Sequence, residues 1–279
     1  MAETRFDEPD RKARLDDIPT DSPKKISKVE ATERFADLNE ELFALQDLMW
    51  GAKTHSVLVV LQGRDAAGKD GAIKHVVGAL NPRGVIVTSF GVPTAEERAH
   101  DFLWRVHRHT PRTGEFAIFN RSHYEDVLAV RVHGFAPKSV WKLRYDHIND
   151  FERLLAESGT IVLKYFLHIS KEEQEKRLLE REKDPATAWK LNANDWKERE
   201  LWGDFTEAYE DVIRRCSSAH APWQIVPADA KWYRNLVIAE SIVAAMRPHR
   251  EAWLATLDEA GKEGKRALEE YRRARAATP

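Results

Sequence analysis

Residues 56–71 read SVLVVLQGRDAAGKDG. The opening stretch, 56–62, is β-branched and aliphatic on consecutive rather than alternate positions, the pattern of a strand covered on both faces of a parallel sheet. Gly63 to Lys69 then fits G-x-x-x-x-G-K, between that strand and a helical pattern beginning AIKHVV at Ala72. In such a loop the glycines let backbone N–H groups converge on one anion. The helix N-terminus adds partial positive charge, and the lysine reaches the transferring phosphate. Gly63, Arg64, Ala66, Ala67, Gly68, Lys69, Asp70, Gly71 and Lys74 are therefore the expected phosphate contacts.

Two positions depart from the usual pattern. The Ser or Thr that commonly follows the lysine and touches Mg²⁺ is Asp70, and Asp65 puts a second carboxylate inside the loop. A carboxylate beside phosphates is unfavourable unless it faces a metal or a cation. Asp65 is a hard oxygen donor suited to Mg²⁺ in a multi-phosphate site, or else it structures the loop through an Asx turn; Asp70 suits the helix start.

Outward from the loop, residues 85–90 (VIVTSF), 116–119 (FAIF), 161–168 (IVLKYFLH) and 223–226 (WQIV) are four more candidate strands. Helical patterns at 95–109, 137–157, 171–182 and 232–246 separate them. This alternation predicts right-handed βαβ crossovers: an α/β fold with a mostly parallel sheet of about five strands and helices on both faces. Residues 28–50 place Phe35, Leu38, Leu42, Leu45 and Leu48 on one helical face. Residues 1–27 hold Pro9, Pro19 and Pro23 without a period and read as a flexible arm. The reading is one domain, 28–247, with a charged helical extension over 248–279.

Across 279 residues, 44 basic side chains nearly cancel 46 acidic ones, so nothing demands nucleic acid or a membrane as partner. A polyanion would need a local basic patch. No apolar run approaches a membrane span, and the N-terminus lacks an apolar targeting segment. Cys216 is the only cysteine, which excludes an internal disulfide and fits a reducing cytoplasm. Nine Trp residues and long terminal helices suggest a Trp-rich surface and self-assembly.

Two further clusters carry chemistry. FNRSHYED, residues 119–126, follows the third strand, at the sheet's carboxyl edge where α/β ligands sit. Arg121 can clamp a phosphate, Glu125 can hold a metal, Asn120 lies beside them, and His123 reads as structural. After the fourth strand, Arg177 and Arg181 share a helical face. Lys190, Asp195 and Arg199 follow the Asp184-Pro185 turn. Together, residues 177–200 read as a helical lid that neutralises charge and excludes water. Solvated pairing of these arginines with Glu173, Glu180 and Glu182 is the plainer alternative.

Taken in order, LQGRDAAGKDGAIK, NPRGVIVTSFGVPT, HDFLWRVHRHTPRTGEFAIFNRSHYEDVL, LKYFLHISKEEQEKRLLERE with DPATAWK, and APWQIVPADAKWYRN resemble the polyphosphate kinase 2 family over roughly residues 30–247. The resemblance implies a thymidylate-kinase-like P-loop fold and transfer from inorganic polyphosphate to purine nucleotides. It implies Mg²⁺, with Mn²⁺ able to substitute, and a homodimer or homotetramer. Asp65, Lys69, Arg121 and Glu125 then become the catalytic group, with Asp65 and Glu125 on the metal and Asn120, Arg121 and Glu125 on the nucleotide. Asp195 matches the family's lid aspartate, and Arg177 and Arg181 its lid cations. Glu125, where the diphosphate-preferring class has Asn, resembles class III, whose members accept nucleoside mono- and diphosphates. An ATP-dependent kinase of small acceptors and an inactive nucleotide-binding scaffold are the rival readings.

Overall fold

Strand β2 (Ser56–Gly63) is buried at all eight positions, as its unbroken apolar run predicts. In the computed structural model, which describes residues 5–6, 14–78, 80–186 and 188–276, it is the centre of the sheet. Parallel partners flank it, β4 (Phe116–Asn120) through Val60↔Phe119 and β5 (Thr160–His168) through Val60↔Lys164. Beyond them lie β3 (Val85–Ser89) and β6 (Trp223–Pro227), also parallel. A two-residue strand, β1 (Arg5–Phe6), pairs antiparallel with the outer edge of β6.

The chain leaves β2 to build β3 and β4 on one side, then crosses to build β5 and β6 on the other. Such a reversal opens a crevice at the carboxyl ends of the strands. The Gly63–Lys69 turn lies at its mouth.

Alternation along β2 assigns each face its own core. Val57, Val59 and Leu61 pack with α1 (Lys28–Ala52) and α10 (Lys231–Met246), among Leu45, Met49, Ile238 and Ile242. Leu58 and Val60 pack with α6 (Lys138–Glu157) and α9 (Trp202–Arg215), among Tyr145, Ile148 and Val212. Each buried Val or Leu contributes roughly 1.5–3 kcal/mol of transfer free energy, so β2 is the best-anchored element of the sheet.

The structure departs from the sequence reading at several points. The helix expected over 95–109 is two short ones, α3 (Ala95–Ala99) and α4 (Trp104–His107). Asp101 Oδ1 accepts from the Leu103 and Trp104 amides, which restarts the chain as a new helix rather than continuing the old one. Residues 14–27 are not a free arm: Leu15 is buried, its amide donates to Glu210 Oε1, and Thr20 Oγ1 donates to Asp229 Oδ2 at 2.7 Å. Residues 1–4 and 7–13 lie outside the described residues. Nor is the surface Trp-rich; among the described residues only Trp189 is an exposed tryptophan, and Trp223 and Trp253 are fully buried.

The lid region is α7 (Lys171–Lys183) and α8 (Ala193–Glu200), and the chain closes with α11 (Arg250–Ala276). The α11 helix is pinned by Trp253, whose Nε1 donates to His55 Nδ1 at 3.1 Å. Among the described residues no helix is long and apolar enough to cross a membrane.

Candidate active site

After β2 the backbone turns sharply. Ala66 (φ 62°) and Gly68 (φ 100°) are both left-handed, and the helix α2 (Lys69–Ala72) starts immediately and continues as a π-turn over residues 73–77. Gly68 has a second constraint: a Cβ there would overlap Arg234 Nη1. Lys69 is 8% exposed, and its Nζ donates to the Gly63 and Arg64 carbonyls at 2.7 and 3.2 Å. Burial, reinforced by the positive Arg121, pushes the Lys69 ammonium down to about 8.

Two guanidiniums brace this loop from behind. Arg177, 5% exposed, donates through Nη1 to Ala66 and Ala67 oxygens at 3.0 and 3.3 Å and through Nη2 to Ala228 and Asp229 oxygens at 2.7 Å each. Arg234, 1% exposed, donates to Asn235 Oδ1 and approaches the Ala67 oxygen at 3.5 Å. Burial and the like charge of Arg177 push Arg234 down to about 10. A buried cation whose close partners are neutral oxygens favours an anion nearby.

Across the crevice, Arg121 is held with φ 60°, an uncommon conformation for a bulky side chain and one that clusters at functional sites. Its guanidinium lies between two carboxylates, Asp65 Oδ1 at 2.6 Å and Glu125 Oε2 at 3.3 Å. Asp65 and Glu125 thus share one cation. No group of three or more His, Cys, Asp or Glu side chains suited to a metal occurs among the described residues. Gln62, fully buried, donates to Glu125 Oε1 at 3.1 Å when its amide is oriented to accept from Ser122. Beneath lies a buried cluster: Glu152 pairs with Lys164 at 2.6 Å, accepts from Tyr124 and contacts His123 Nε2 at 3.3 Å. His123 is fully buried there and is structural.

A cavity of ≈ 1100 Å³ runs past Asp65, Ala66, Gly68, Lys69, Asp70, Gly71, Lys74, Asn120 and Arg121 to the lid residues Arg177, Arg181, Lys190 and Asp195. Nine Lys and Arg line it against five Asp and Glu, a basic patch in a chain of nearly balanced charge. Asp70 ties the lid down. It accepts from Lys190 Nζ at 2.7 Å and Asn120 Nδ2 at 2.9 Å, and the Lys190 bond is the main reason its carboxyl lies below the usual range. Within the lid Arg181 pairs with Asp195 at 3.0 Å. Burial raises the Asp195 carboxyl, and the negative charge of Asp65 adds to the rise.

Arg64, Arg177 and Arg199 play other parts than expected, and Gly63, Ala67 and Glu125 do not line the cavity. Arg64 turns away from the cradle: its guanidinium stacks 3.8 Å from the Trp202 ring centre and donates to the Trp202 oxygen at 3.0 Å, since that aromatic face lies on the far side of the loop. Arg199 folds back on α7 to the Lys171 oxygen and Gln174 Oε1, outside the cavity. Arg177 lines the cavity but acts as a brace of the loop rather than a mobile lid cation. Conversely, Lys28, Lys231, Arg234 and Asn235 line the cavity without having been singled out. The signal for three of them was present: Lys231, Arg234 and Asn235 occupy one face at the start of the helix after the fifth expected strand, at the sheet's carboxyl edge.

Comparison with known proteins agrees with this architecture. The description "Polyphosphate kinase 2" matches residues 25–252. An AMP/ADP-polyphosphate phosphotransferase of Meiothermus ruber is 52% identical over 216 residues, covering 77% of this chain and 81% of the relative. An ADP-polyphosphate phosphotransferase of Rhodopseudomonas palustris is 42% identical, with 80% and 82% covered. The crystal structure of polyphosphate kinase 2 from Arthrobacter aurescens TC1 superposes with a TM-score of 0.82 at 39% identity, covering 84% of this chain and 85% of that one. With a phosphate loop on β2, Arg121 between two carboxylates and a basic cavity under a lid, the chain belongs to the polyphosphate kinase 2 family.

Proposed function

We propose that this chain transfers the terminal phosphoryl group of inorganic polyphosphate to AMP and to ADP, reversibly, as a class III member of its family. The observation that carries the proposal is the ≈ 1100 Å³ cavity, whose lining sets Lys69 together with eight further Lys and Arg, Lys28 and Lys231 among them. The name of the Meiothermus ruber relative pairs both acceptors with that donor, in keeping with Glu125. Guanine nucleotides would meet the same phosphate contacts and belong to the proposed acceptors.

The residues divide the work. Lys69 and the loop amides hold the donor's terminal phosphoryl, while Arg121 orients the acceptor phosphate opposite. An acceptor oxygen attacks that phosphorus in line. The bond to the next phosphate of the chain breaks, and the shortened chain keeps the electron pair on its new terminal oxygen. The acceptor oxygen is already anionic, so no general base is required, and positioning and charge neutralisation dominate. Lys69, Arg121 and Arg181 spread the transition-state charge, and the lid excludes water. Asp65 and Glu125, hard oxygen donors, would hold Mg²⁺, or Mn²⁺ in its place, and the ion would supply charge neutralisation.

We assign the chain to the cytoplasm and to a homodimer or homotetramer. The test is purified chain with Mg²⁺, long-chain polyphosphate and either AMP or ADP, with nucleotides separated by chromatography. ATP from ADP, and ADP followed by ATP from AMP, is the expected result. Product from ADP alone removes the dual-acceptor assignment.

A further inference from the structure

We infer that α11 is a self-association element that pairs antiparallel with α11 of a second copy of this chain. Its first turns belong to the body, where Trp253 is buried and Leu257 packs against Gly51 of α1. From Asp258 to Ala276 every residue is exposed, so 19 helical residues project from the described body. Helices in proteins draw most of their stability from packing, and Gly261 and Gly264 weaken this exposed one.

Charge indicates the occupant. Residues 251–263 carry Glu251, Asp258, Glu259 and Glu263 against Lys262 alone. Residues 264–276 carry five Lys and Arg against Glu269 and Glu270. An acidic first half and a basic second half complement each other only when two such helices run in opposite directions.

The apolar positions fit the same arrangement. Beyond Leu257, which packs on α1, Gly261, Gly264, Leu268 and Tyr271 recur at spacings of three, four and three, the spacing of a coiled-coil seam. Leu268 and Tyr271 are 47% and 61% exposed, and a Cβ at Gly261 or Gly264 would meet nothing within 4 Å. Antiparallel pairing seats Tyr271 over Gly261 and Leu268 over Gly264 of the second copy, so each large side chain meets a gap. Asp258 then lies beside Arg272 of that copy. The inference deepens the assembly assignment and is independent of the catalytic one.

Sedimentation of the full chain, with Leu268→Asp and a charge-swap pair, tests it. Wild type should run as a dimer or larger. Leu268→Asp should halve that mass while leaving phosphotransfer per chain intact, which shows the body still folded. Asp258→Arg should weaken association at least tenfold, and adding Arg272→Asp should restore it. Orientation is read by short bis-maleimide cross-linking, because Cys216 is buried and its thiol is pushed up to about 12. Lys265→Cys should cross-link, whereas Asp258→Cys, about 24 Å from its mate at 1.5 Å rise per residue, should not. An unchanged mass for Leu268→Asp overturns the pairing but leaves assembly through another surface. Cross-linking at both positions overturns the antiparallel orientation. A monomeric wild type overturns both pairing and assembly.

Discussion

The loop wall and the lid wall of the cavity both carry cations, but they hold them differently. On the loop side Lys69 is buried and donates to two backbone carbonyls. It is backed by buried Arg177, which donates from α7 to four backbone carbonyls and pairs with Glu173, and by buried Arg234, which donates to Asn235 Oδ1. On the lid side Lys190 and Arg181 are partly exposed, and each meets one carboxylate, Asp70 or Asp195. A backbone carbonyl cannot be titrated, and several of them at once fix Lys69 and Arg177 against the loop. Exposed ion pairs are worth only about 0–1 kcal/mol each and exchange readily for a phosphate oxygen. One wall is therefore preorganised for chemistry, while the other is suited to opening and closing.

That contrast can be broken or sharpened by substitution. The largest effect belongs to Lys69→Ala, which should lower kcat by ~10²–10³ while the chain still folds cooperatively, as loss of one preorganised charge contact does elsewhere. Steady-state kinetics alongside thermal melting checks it, and near-full turnover in the folded variant would remove Lys69 from the site. Gly68→Ala comes next, since it combines a left-handed φ with overlap on Arg234. It should cost about 1–3 kcal/mol of stability. Displacing the loop by a fraction of an ångström should slow turnover by roughly ten- to a hundredfold. Denaturant melts and kcat together show whether both losses occur.

A pH profile probes the same wall without mutation. With its ammonium pushed down to about 8, free Lys69 loses its charge as pH rises through that value. The kcat/KM for polyphosphate should then fall about tenfold per unit above pH 8, and the kcat limb should lie higher because bound phosphate restores the charge. Stability moves the opposite way. Between about 8 and the ordinary lysine value of 10.5 the unfolded chain binds more protons, so the Lys69 contribution makes the fold more stable as pH rises across that window. A flat kcat/KM profile to pH 10 would mean that Lys69 stays charged in the free protein. The smallest effect is on the lid, where Lys190→Ala should change kcat/KM less than about fivefold, the worth of one exposed pair. A loss as large as that for Lys69 would erase the distinction between the walls.

Sequence patterning reported the loop wall's backbone well and its bracing hardly at all. The unbroken apolar run of residues 56–62, the glycine spacing and the strand–helix alternation are local signals, and they located the sheet and the loop. Arg64, Arg177 and Arg234 were harder because helical periodicity says which residues share a face and not what that face meets. Arg64 is drawn off by Trp202, 138 residues away, and Arg177 by carbonyls more than 50 residues distant on both sides of it. The break between α3 and α4 hinges on one Asp101 side chain competing with the helix, which an apolar period does not register. That Lys69, Arg121 and Asp65 meet at one cavity was legible because each follows a strand at the carboxyl edge of a parallel sheet.

The most direct test of the central claim is to vary the donor alone. Purified chain, Mg²⁺ and ADP are supplied with long-chain polyphosphate and no nucleoside triphosphate, and ATP is followed by chromatography as the chain length of the polymer is measured. The account predicts ATP formation matched one for one by phosphates lost from the polymer. No ATP from polyphosphate, with nucleotide phosphorylation appearing only when a nucleoside triphosphate is the donor, would contradict it.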